Sequence, residues 1–251
     1  MIELCEVSKR YGGHLAVDRL SLRVERGEIF GFIGPNGAGK TTTLRMLGGI
    51  LLPDAGDIRI AGIPLSRFPE EAKRRVGFVP DRPALYERLT AREFLEFIAR
   101  LYGVPRPLFE ERAQRLLAEF SLTRHAEAPI GSFSHGMKQR LAFAAALLHA
   151  PEALIVDEPL VGLDPLAVRG LKALFRRLAA SGVTIFLSTH SLHLAEELCP
   201  RIGVIHRGRL VATGSPAALR RRAGDRAVDL EDAFLALVAG DEGEQAAGGA
   251  R

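Results

Sequence analysis

The chain lacks any apolar run long enough to cross a membrane. The apolar run at residues 141–148 falls far short of the roughly 20 residues that a membrane-spanning helix needs. No N-terminal stretch has the basic and then apolar character of a signal peptide. If the protein works at a membrane, we therefore expect a partner to supply the membrane-spanning part.

Cysteine is also scarce. Cys5 and Cys199 are isolated, with no C-x-x-C motif and no paired histidines at metal-binding spacing. This pattern favours two small apolar residues buried in a protein of a reducing compartment, although the sequence is also compatible with a disulfide between them.

Neither sign of charge dominates, because 34 Lys and Arg stand against 30 Asp and Glu. The net charge of +4 suits an anionic ligand or an anionic membrane surface, and it is also small enough to carry no functional meaning. With 47% apolar and 25% charged residues, the composition is typical of a soluble globular protein. The length allows one large domain, or a core with a subdomain.

A glycine-rich stretch, GPNGAGKT at residues 34–41, matches the phosphate-binding loop pattern G-x-x-x-x-G-K-[ST]. A strand-like run precedes it and a helix-like run follows, so backbone N–H groups converge on phosphate oxygens at a helix N-terminus. We predict that Lys40 reaches the β- and γ-phosphates of a nucleoside triphosphate and that the Thr41 hydroxyl helps to ligate magnesium. The predicted nucleotide-binding residues of this loop are Gly34, Pro35, Asn36, Gly37, Ala38, Gly39, Lys40, Thr41 and Thr42. The alternative is a loop whose glycines serve only tight turns.

Short β-rich runs alternate with helix-length segments along much of the chain. Leu20, Leu22 and Val24 alternate with polar residues, and residues 2–7 form a plausible partner strand. Further β-rich runs occur at residues 58–60, 76–79, 154–156, 184–188 and 202–206, with helix-length segments such as 165–180 and 192–199 between several of them. This alternation predicts an α/β fold with a largely parallel sheet.

The alternation is interrupted from about residue 84 to residue 148. Residues 91–102, 108–120 and 136–148 have helical character, with Gly103, Pro105 and Pro129 between them. We predict a helical subdomain inserted between two strands. Residues 240–251 cannot build a core and are predicted to be a disordered tail, so the domain spans residues 1–239.

Two acidic residues end the apolar strand at residues 153–156. Asp157 is predicted to meet the magnesium held by Thr41, and Glu158 to polarise a water for attack on the γ-phosphate. The alternative is a strand that ends in acidic residues because it meets solvent. His190 follows another apolar strand and could bind the γ-phosphate, although a single histidine at a strand end is commonplace.

In their order along the chain, these elements resemble the ATP-binding subunit of an ABC transporter, from residue 2 to about residue 238. Tyr11 matches the aromatic residue that stacks on adenine, and His190 matches the switch histidine. Residues 133–137 (FSHGM) stand where the family has its Leu-Ser-Gly-Gly-Gln signature, and residues 161–164 (VGLD) match the loop after the acidic strand. The resemblance implies a P-loop NTPase core with a mostly parallel sheet, an antiparallel β subdomain and the inserted helical subdomain.

The resemblance also implies that two chains enclose two nucleotides head to tail as a homodimer in the ATP-bound state. Ser134 and the Gly136 N–H, at the start of a helix, would donate to ATP held by the second copy. His135 and Met137 depart from the signature but leave those two donors in place. Asp81 stands where the family has a metal- and water-sensing Gln, and we hypothesise that its carboxylate still approaches magnesium.

The implied function is an ATPase motor with ATP and Mg²⁺ as its cofactors. Glu158 would be the base, His190 would hold the γ-phosphate, and Lys40 would stabilise charge. A separate transmembrane permease would dock near the helical insert, which places the chain at the cytoplasmic face of the cell membrane as a peripheral subunit. Residues 229–238 and the signature variant resemble subunits of exporters for drugs, lipids or polysaccharides.

Three other functions are weighed against this one. A soluble ABC ATPase acting on a ribosome or nucleic acid usually carries two nucleotide domains or a long coiled coil, and the chain has neither, so no nucleic acid partner is expected. A GTPase is disfavoured because Asn36 is the only Asn in the chain and the guanine-reading N-K-x-D motif is absent. A small-molecule kinase would leave the signature and the switch histidine without a purpose.

Overall fold

The computed structural model describes residues 1–160, 164–224 and 227–248. The strands fall into two sheets. In chain order they are β1 (Ile2–Tyr11), β2 (His14–Val24), β3 (Ile29–Ile33), β4 (Ala55–Ile60), β5 (Ile63–Pro64), β6 (Val76–Val79), β7 (Ala153–Asp157), β8 (Thr184–Thr189), β9 (Arg201–His206) and β10 (Arg209–Gly214).

The helices pack on both faces of the larger sheet, and three of them form an insert between β6 and β7. They are α1 (Lys40–Leu47), α2 (Pro69–Arg74), α3 (Ala91–Leu101), α4 (Arg106–Glu119), α5 (His135–Leu147), α6 (Pro165–Ala180), α7 (Leu192–Leu198), α8 (Pro216–Ala223) and α9 (Leu230–Gly248). Within the described residues, no helix combines the length and apolar character that crossing a membrane requires.

The larger sheet has the strand order β10-β9-β3-β8-β7-β6, and its strands are parallel except for the edge strand β10. The smaller sheet has the order β2-β1-β4-β5 and is antiparallel throughout. Helices α3, α4 and α5 lie between β6 and β7, as the sequence predicts. The expected α/β fold, with an antiparallel β subdomain and an inserted helical subdomain, is therefore confirmed.

The central strands are buried on both faces, so their side chains alternate between two apolar cores. Phe186 of β8 packs between Phe30 and Phe32 of β3, with ring centroids 5.4 and 5.3 Å apart, in the core that faces the antiparallel sheet. Leu154 and Val156 of β7 point into the opposite core, under the helices. Strands enclosed in this way form a rigid platform for the residues at their ends.

Capping hydrogen bonds define where two of the inserted helices, α3 and α5, begin. The Thr90 side chain accepts from the Glu93 N–H at 3.1 Å, and the Glu93 carboxylate accepts from the Thr90 N–H at 2.8 Å, which closes a capping box on α3. Ser134 caps α5 through a bond from the Met137 N–H at 3.3 Å. These caps place Ser134 at an exposed helix N-terminus, where the sequence expects the signature segment.

The C-terminal helix α9 continues to Gly248, although the sequence predicts a disordered tail from residue 240. Ala, Glu and Gln make up most of residues 241–247, and these residue types have high helix propensity. Residues 249–251 of the predicted tail lie outside the described residues.

Both cysteines are free, and only one of them is buried. Cys199 lies in the core, where burial raises the pKa of its thiol to about 12. Cys5 is exposed, so the expectation that it is buried is wrong. The reason is the alternation of β1, which places Cys5 on the face opposite the buried Leu4. A bulge at Glu6, whose φ is +51°, then returns Val7 to the core.

Candidate nucleotide site

The site lies where three neighbouring parallel strands end at one edge of the larger sheet. Asp157 of β7 pairs in register with Ser188 of β8, and Ile33 of β3 pairs with Thr189 of β8. The glycine-rich loop, the acidic pair and the segment containing His190 therefore leave the sheet side by side. Ligands of open α/β sheets bind at this carboxyl edge.

The glycine-rich loop packs too tightly for larger residues at two of its positions. Gly39 has a φ of +106°, and a Cβ there would lie 2.4 Å from the Ala16 carbonyl oxygen. A Cβ on Gly34 would lie 2.4 Å from the Ile205 carbonyl oxygen. Because no side chain caps α1, its first N–H groups remain available to an anion at the positive end of the helix.

The Lys40 ammonium turns back onto the loop that carries it. Its Nζ donates to the Gly34 carbonyl at 2.7 Å and to the Pro35 carbonyl at 3.0 Å. Burial lowers the pKa of Lys40, against the opposing effect of the Glu158 and Asp157 carboxylates. A buried ammonium group beside a loop of backbone N–H groups is suited to bind phosphate oxygens, because their negative charge would offset the cost of burying the Lys40 charge.

Thr41 and Asp157 contact each other directly across the site. The Thr41 hydroxyl donates to Asp157 Oδ2 at 3.0 Å, and the Ser188 hydroxyl donates to Oδ1, so both oxygens of this buried carboxylate are oriented. Within the described ranges, no three His, Cys, Asp or Glu side chains form a metal cage. One hydroxyl and one carboxylate fit Mg²⁺, which takes one or two protein ligands and completes its shell with phosphate oxygens and water.

Glu158 and His190 also form a pair. His190 Nδ1 lies 2.8 Å from Glu158 Oε2. Glu158 has a φ of +47°, in the left-handed region that costs a non-glycine residue about 1 kcal/mol. Its N–H donates to the Ser188 carbonyl at 3.1 Å. This turn directs Glu158 away from Asp157 and toward His190.

A cavity of about 580 Å³ lies at this edge. The structure brings together around it many of the residues singled out by the sequence: Tyr11, Asn36, Gly37, Gly39, Lys40, Thr41, Thr42, Asp81, Asp157 and Glu158. Gly34, Pro35 and Ala38 belong to the same loop but do not line the cavity. His190 does not line it either, but it contacts Glu158, which does. Tyr11 is half-exposed at the rim, where its ring is open to stacking.

Ser134 and Gly136 are not part of this cavity. They lie at the start of α5 in the helical insert, where Ser134 is exposed. Of the predicted loop after the acidic strand, residues 161–163 lie outside the described residues. Asp164 caps α6 by accepting from the Ala167 N–H at 2.9 Å.

The cavity also contains residues that sequence reasoning missed. His14, Arg45 and Arg82 line it. A signal for Arg45 was present, because it lies four residues after Thr41 on the same helix and so shares its face. His14 could be found only from the two-residue hairpin that pairs it with Tyr11.

Comparison with known proteins identifies the family. The family model described as ABC transporter matches residues 17–161. The Nod factor export ATP-binding protein I of Paraburkholderia xenovorans (strain LB400) is 46% identical over 218 residues, which cover 87% of this chain and 72% of that protein.

Two solved structures are similar to this one. A structure described as the ATP-binding subunit of an ABC transporter has a TM-score of 0.89 at 37% identity, and the match covers 94% of this chain and 99% of that one. The ATP-binding cassette MJ0796, a dimer in a post-hydrolysis state bound to ADP and Pi, has a TM-score of 0.79 at 27% identity, with 86% and 98% covered.

Proposed function

The chain belongs to the ABC transporter family as an ATP-binding, exporter-type ATPase subunit, and from that premise we propose which residues bind and hydrolyse its ATP. The observation that carries the proposal is the pair of contacts at one sheet edge. Thr41 meets Asp157 at 3.0 Å, and His190 meets Glu158 at 2.8 Å. These contacts join a metal-binding pair and a base–histidine pair around one cavity.

The nucleotide is held by its two ends. Tyr11 at the rim stacks on the adenine, and residues 34–42 surround the phosphates with backbone N–H groups. Lys40 exchanges its bonds to the loop carbonyls for bonds to the β- and γ-phosphate oxygens.

Thr41 and Asp157 would hold Mg²⁺, which would supply positive charge to offset the negative charge of the bound triphosphate. Ser188 keeps the Asp157 carboxylate oriented through its hydroxyl. Glu158 accepts a proton from the attacking water, and His190, which lies beside Glu158, donates its ring N–H to the γ-phosphate. The backbone strain at Glu158 fits a residue fixed for catalysis by the surrounding strand ends.

A second copy of the chain completes each site. Ser134 and the Gly136 N–H lie outside the cavity of their own chain, so they serve the ATP bound to the other copy in a homodimer. The dimeric state of the similar cassette MJ0796 supports this arrangement.

Asp81 lines the cavity with Thr41, Asp157 and Glu158, and we propose that it strengthens magnesium binding. Asp81→Asn removes one negative charge near the metal, so the Mg²⁺ concentration for half-maximal hydrolysis is expected to rise roughly tenfold. This change is measured by following ATP hydrolysis as magnesium is added to protein from which a chelator has removed the metal. Glu70→Gln, which removes an exposed carboxylate on α2, is the control. An unchanged magnesium dependence for Asp81→Asn would count against the role of Asp81.

An apolar patch on the helical insert is the proposed docking surface for the permease. We define the patch as Tyr86, Phe97 and Leu101, which are 58, 42 and 65% exposed. Phe97 and Leu101 share one face of α3, and Tyr86 meets Phe97 edge to face at 5.5 Å. Exposed apolar clusters of this kind mark protein contacts, and docking here places the chain at the cytoplasmic face of the membrane.

Replacement of Phe97 and Leu101 by Ser is expected to weaken capture of the permease by more than about tenfold. The rate of ATP hydrolysis by the isolated double variant is expected to stay within about twofold of the parental rate, because the patch does not line the cavity. Co-purification from detergent-solubilised membranes measures capture. Leu235→Ser on α9, which also removes an exposed leucine, is the matched control. Equal capture by the double variant and this control would rule out the patch.

Export is the favoured direction of transport. The relative described above is named for export, and this supports a permease partner over the alternative of a ribosome or nucleic acid.

A further inference from the structure

The phosphate loop packs against the turn between β9 and β10 and is hydrogen-bonded to it. The Gly208 N–H donates to the Ala38 carbonyl at 2.9 Å, and the Gly208 carbonyl accepts from the Asp18 N–H at 2.9 Å. Ile205, the penultimate residue of β9, lies so close to the loop that a Cβ on Gly34 would come within 2.4 Å of its carbonyl oxygen. Because close-packed groups transmit displacement, a shift of this turn moves the loop.

The turn itself has little freedom. Arg207 and Gly208 have φ values of +46° and +80°, and two successive left-handed residues are typical of the type I′ turn that closes a two-residue hairpin. A Cβ on Gly208 would lie 2.9 Å from the Ala16 carbonyl oxygen. Because the turn is rigid, a displacement of the residue directly before it would displace the whole turn.

That residue is His206, and it is bound to the last helix. His206 is 6% exposed at the end of β9, and its Nδ1 lies 2.7 Å from Asp241 Oδ2 on α9. The Asp241 side chain is also largely enclosed, at 15% exposure. Helix α9 packs against both β9 and β10, so this contact links the C-terminal helix to the support of the phosphate loop.

We propose that His206 and Asp241 are a positioning pair through which α9 holds the phosphate loop in its nucleotide-binding conformation. The proposal rests on the nucleotide-binding role proposed above for residues 34–42. Loss of the Asp241 carboxylate removes an acceptor from a buried imidazole N–H, which is unfavourable. We expect the turn at Arg207 and Gly208 to shift so that the imidazole N–H regains a hydrogen-bond partner. This shift would lengthen the bond from the Gly208 N–H to the Ala38 carbonyl in the phosphate loop.

Asp241→Ala is expected to raise the KM for ATP about fivefold, with kcat changed less than about twofold. Asp241→Asn, which retains an acceptor oxygen, is expected to keep the parental KM. His206→Ala is expected to raise the KM in the same direction, and the double variant to lose less than the sum of the two single variants, because both substitutions remove the contact between His206 and Asp241. Steady-state hydrolysis and equilibrium binding of a fluorescent ATP analogue give the two readouts. Glu231→Ala, in the first turn of the same helix, is the matched control.

Lys40→Ala separates this proposal from the function on which it rests. If Lys40→Ala weakens nucleotide binding and Asp241→Ala binds as the parent does, the positioning pair is overturned and the nucleotide site stands. A fall in kcat for Asp241→Ala at unchanged KM also overturns the pair, because it indicates a general structural role. If Lys40→Ala leaves binding unchanged, the proposed nucleotide site is itself wrong.

Discussion

Replacement of Glu158 by Gln is expected to slow ATP hydrolysis by about a thousandfold, because the amide cannot take a proton from the attacking water. ATP binding is expected to persist, since Lys40, Thr41 and Asp157 are untouched. The variant should therefore accumulate with ATP bound and elute from gel filtration as a dimer. The amide retains the shape of the side chain and an oxygen for the contact with His190 Nδ1, so the geometry of the pair is preserved.

The matched control for this result is Glu152→Gln. Glu152 directly precedes β7, at the end opposite Glu158, and pairs with Arg75 at the surface. Its substitution is expected to change hydrolysis by less than about twofold, because exposed ion pairs contribute little. Equal turnover in Glu158→Gln and the parent would remove Glu158 from the role of base.

Ser134→Glu is expected to reduce hydrolysis by about a hundredfold or more. The substitution replaces a hydroxyl donor at a helix N-terminus with a carboxylate, which repels the triphosphate that the second copy presents. Binding of ATP to a single chain is expected to be unchanged, because Ser134 does not line the cavity of its own chain. The variant should therefore bind ATP with parental affinity and remain a monomer on gel filtration.

Ser132→Glu is the control for Ser134→Glu. Ser132 is exposed two residues earlier, and its hydroxyl bonds to the Pro129 carbonyl at 2.7 Å. The same charge at this position is expected to leave hydrolysis within a few-fold of the parent. Full activity in Ser134→Glu, or a loss of ATP binding by its monomer, would contradict the proposed role of Ser134.

Much of the fold could be predicted because its central strands are apolar and its long helices have clear start signals. Pro165–Ala180 was predicted with the bounds that α6 has, since Asp164 and Pro165 mark its beginning. By contrast, β10 and α8 were not predicted. Each buries a single residue, Ala212 in β10 and Leu219 in α8, so neither has an apolar period that the sequence could reveal.

The parts of the site that are contiguous in sequence could be predicted, and contacts between distant segments could not. The phosphate loop, Asp157 and Glu158 lie in short patterns with clear chemistry. The contact between Glu158 and His190 depends on the register of β7 with β8 and on the left-handed backbone at Glu158. The contact of His206 with Asp241, 35 residues away, likewise depends on where α9 packs.

The central claim is that each ATP is hydrolysed between two copies of the chain, and mixing two inactive variants tests it most directly. In a mixed dimer of Lys40→Ala and Ser134→Glu chains, one site pairs an intact Lys40 with an intact Ser134. Ser134→Glu stays monomeric alone and Lys40→Ala lacks the bound ATP that joins two copies, so the dimers of an equal mixture are mixed dimers. Each has one intact site of two, and hydrolysis is therefore expected to recover to at most about half of the parental rate. If the hydrolysis rate of the mixture stays at the average of the rates of the two separate variants, a site shared between two copies is contradicted.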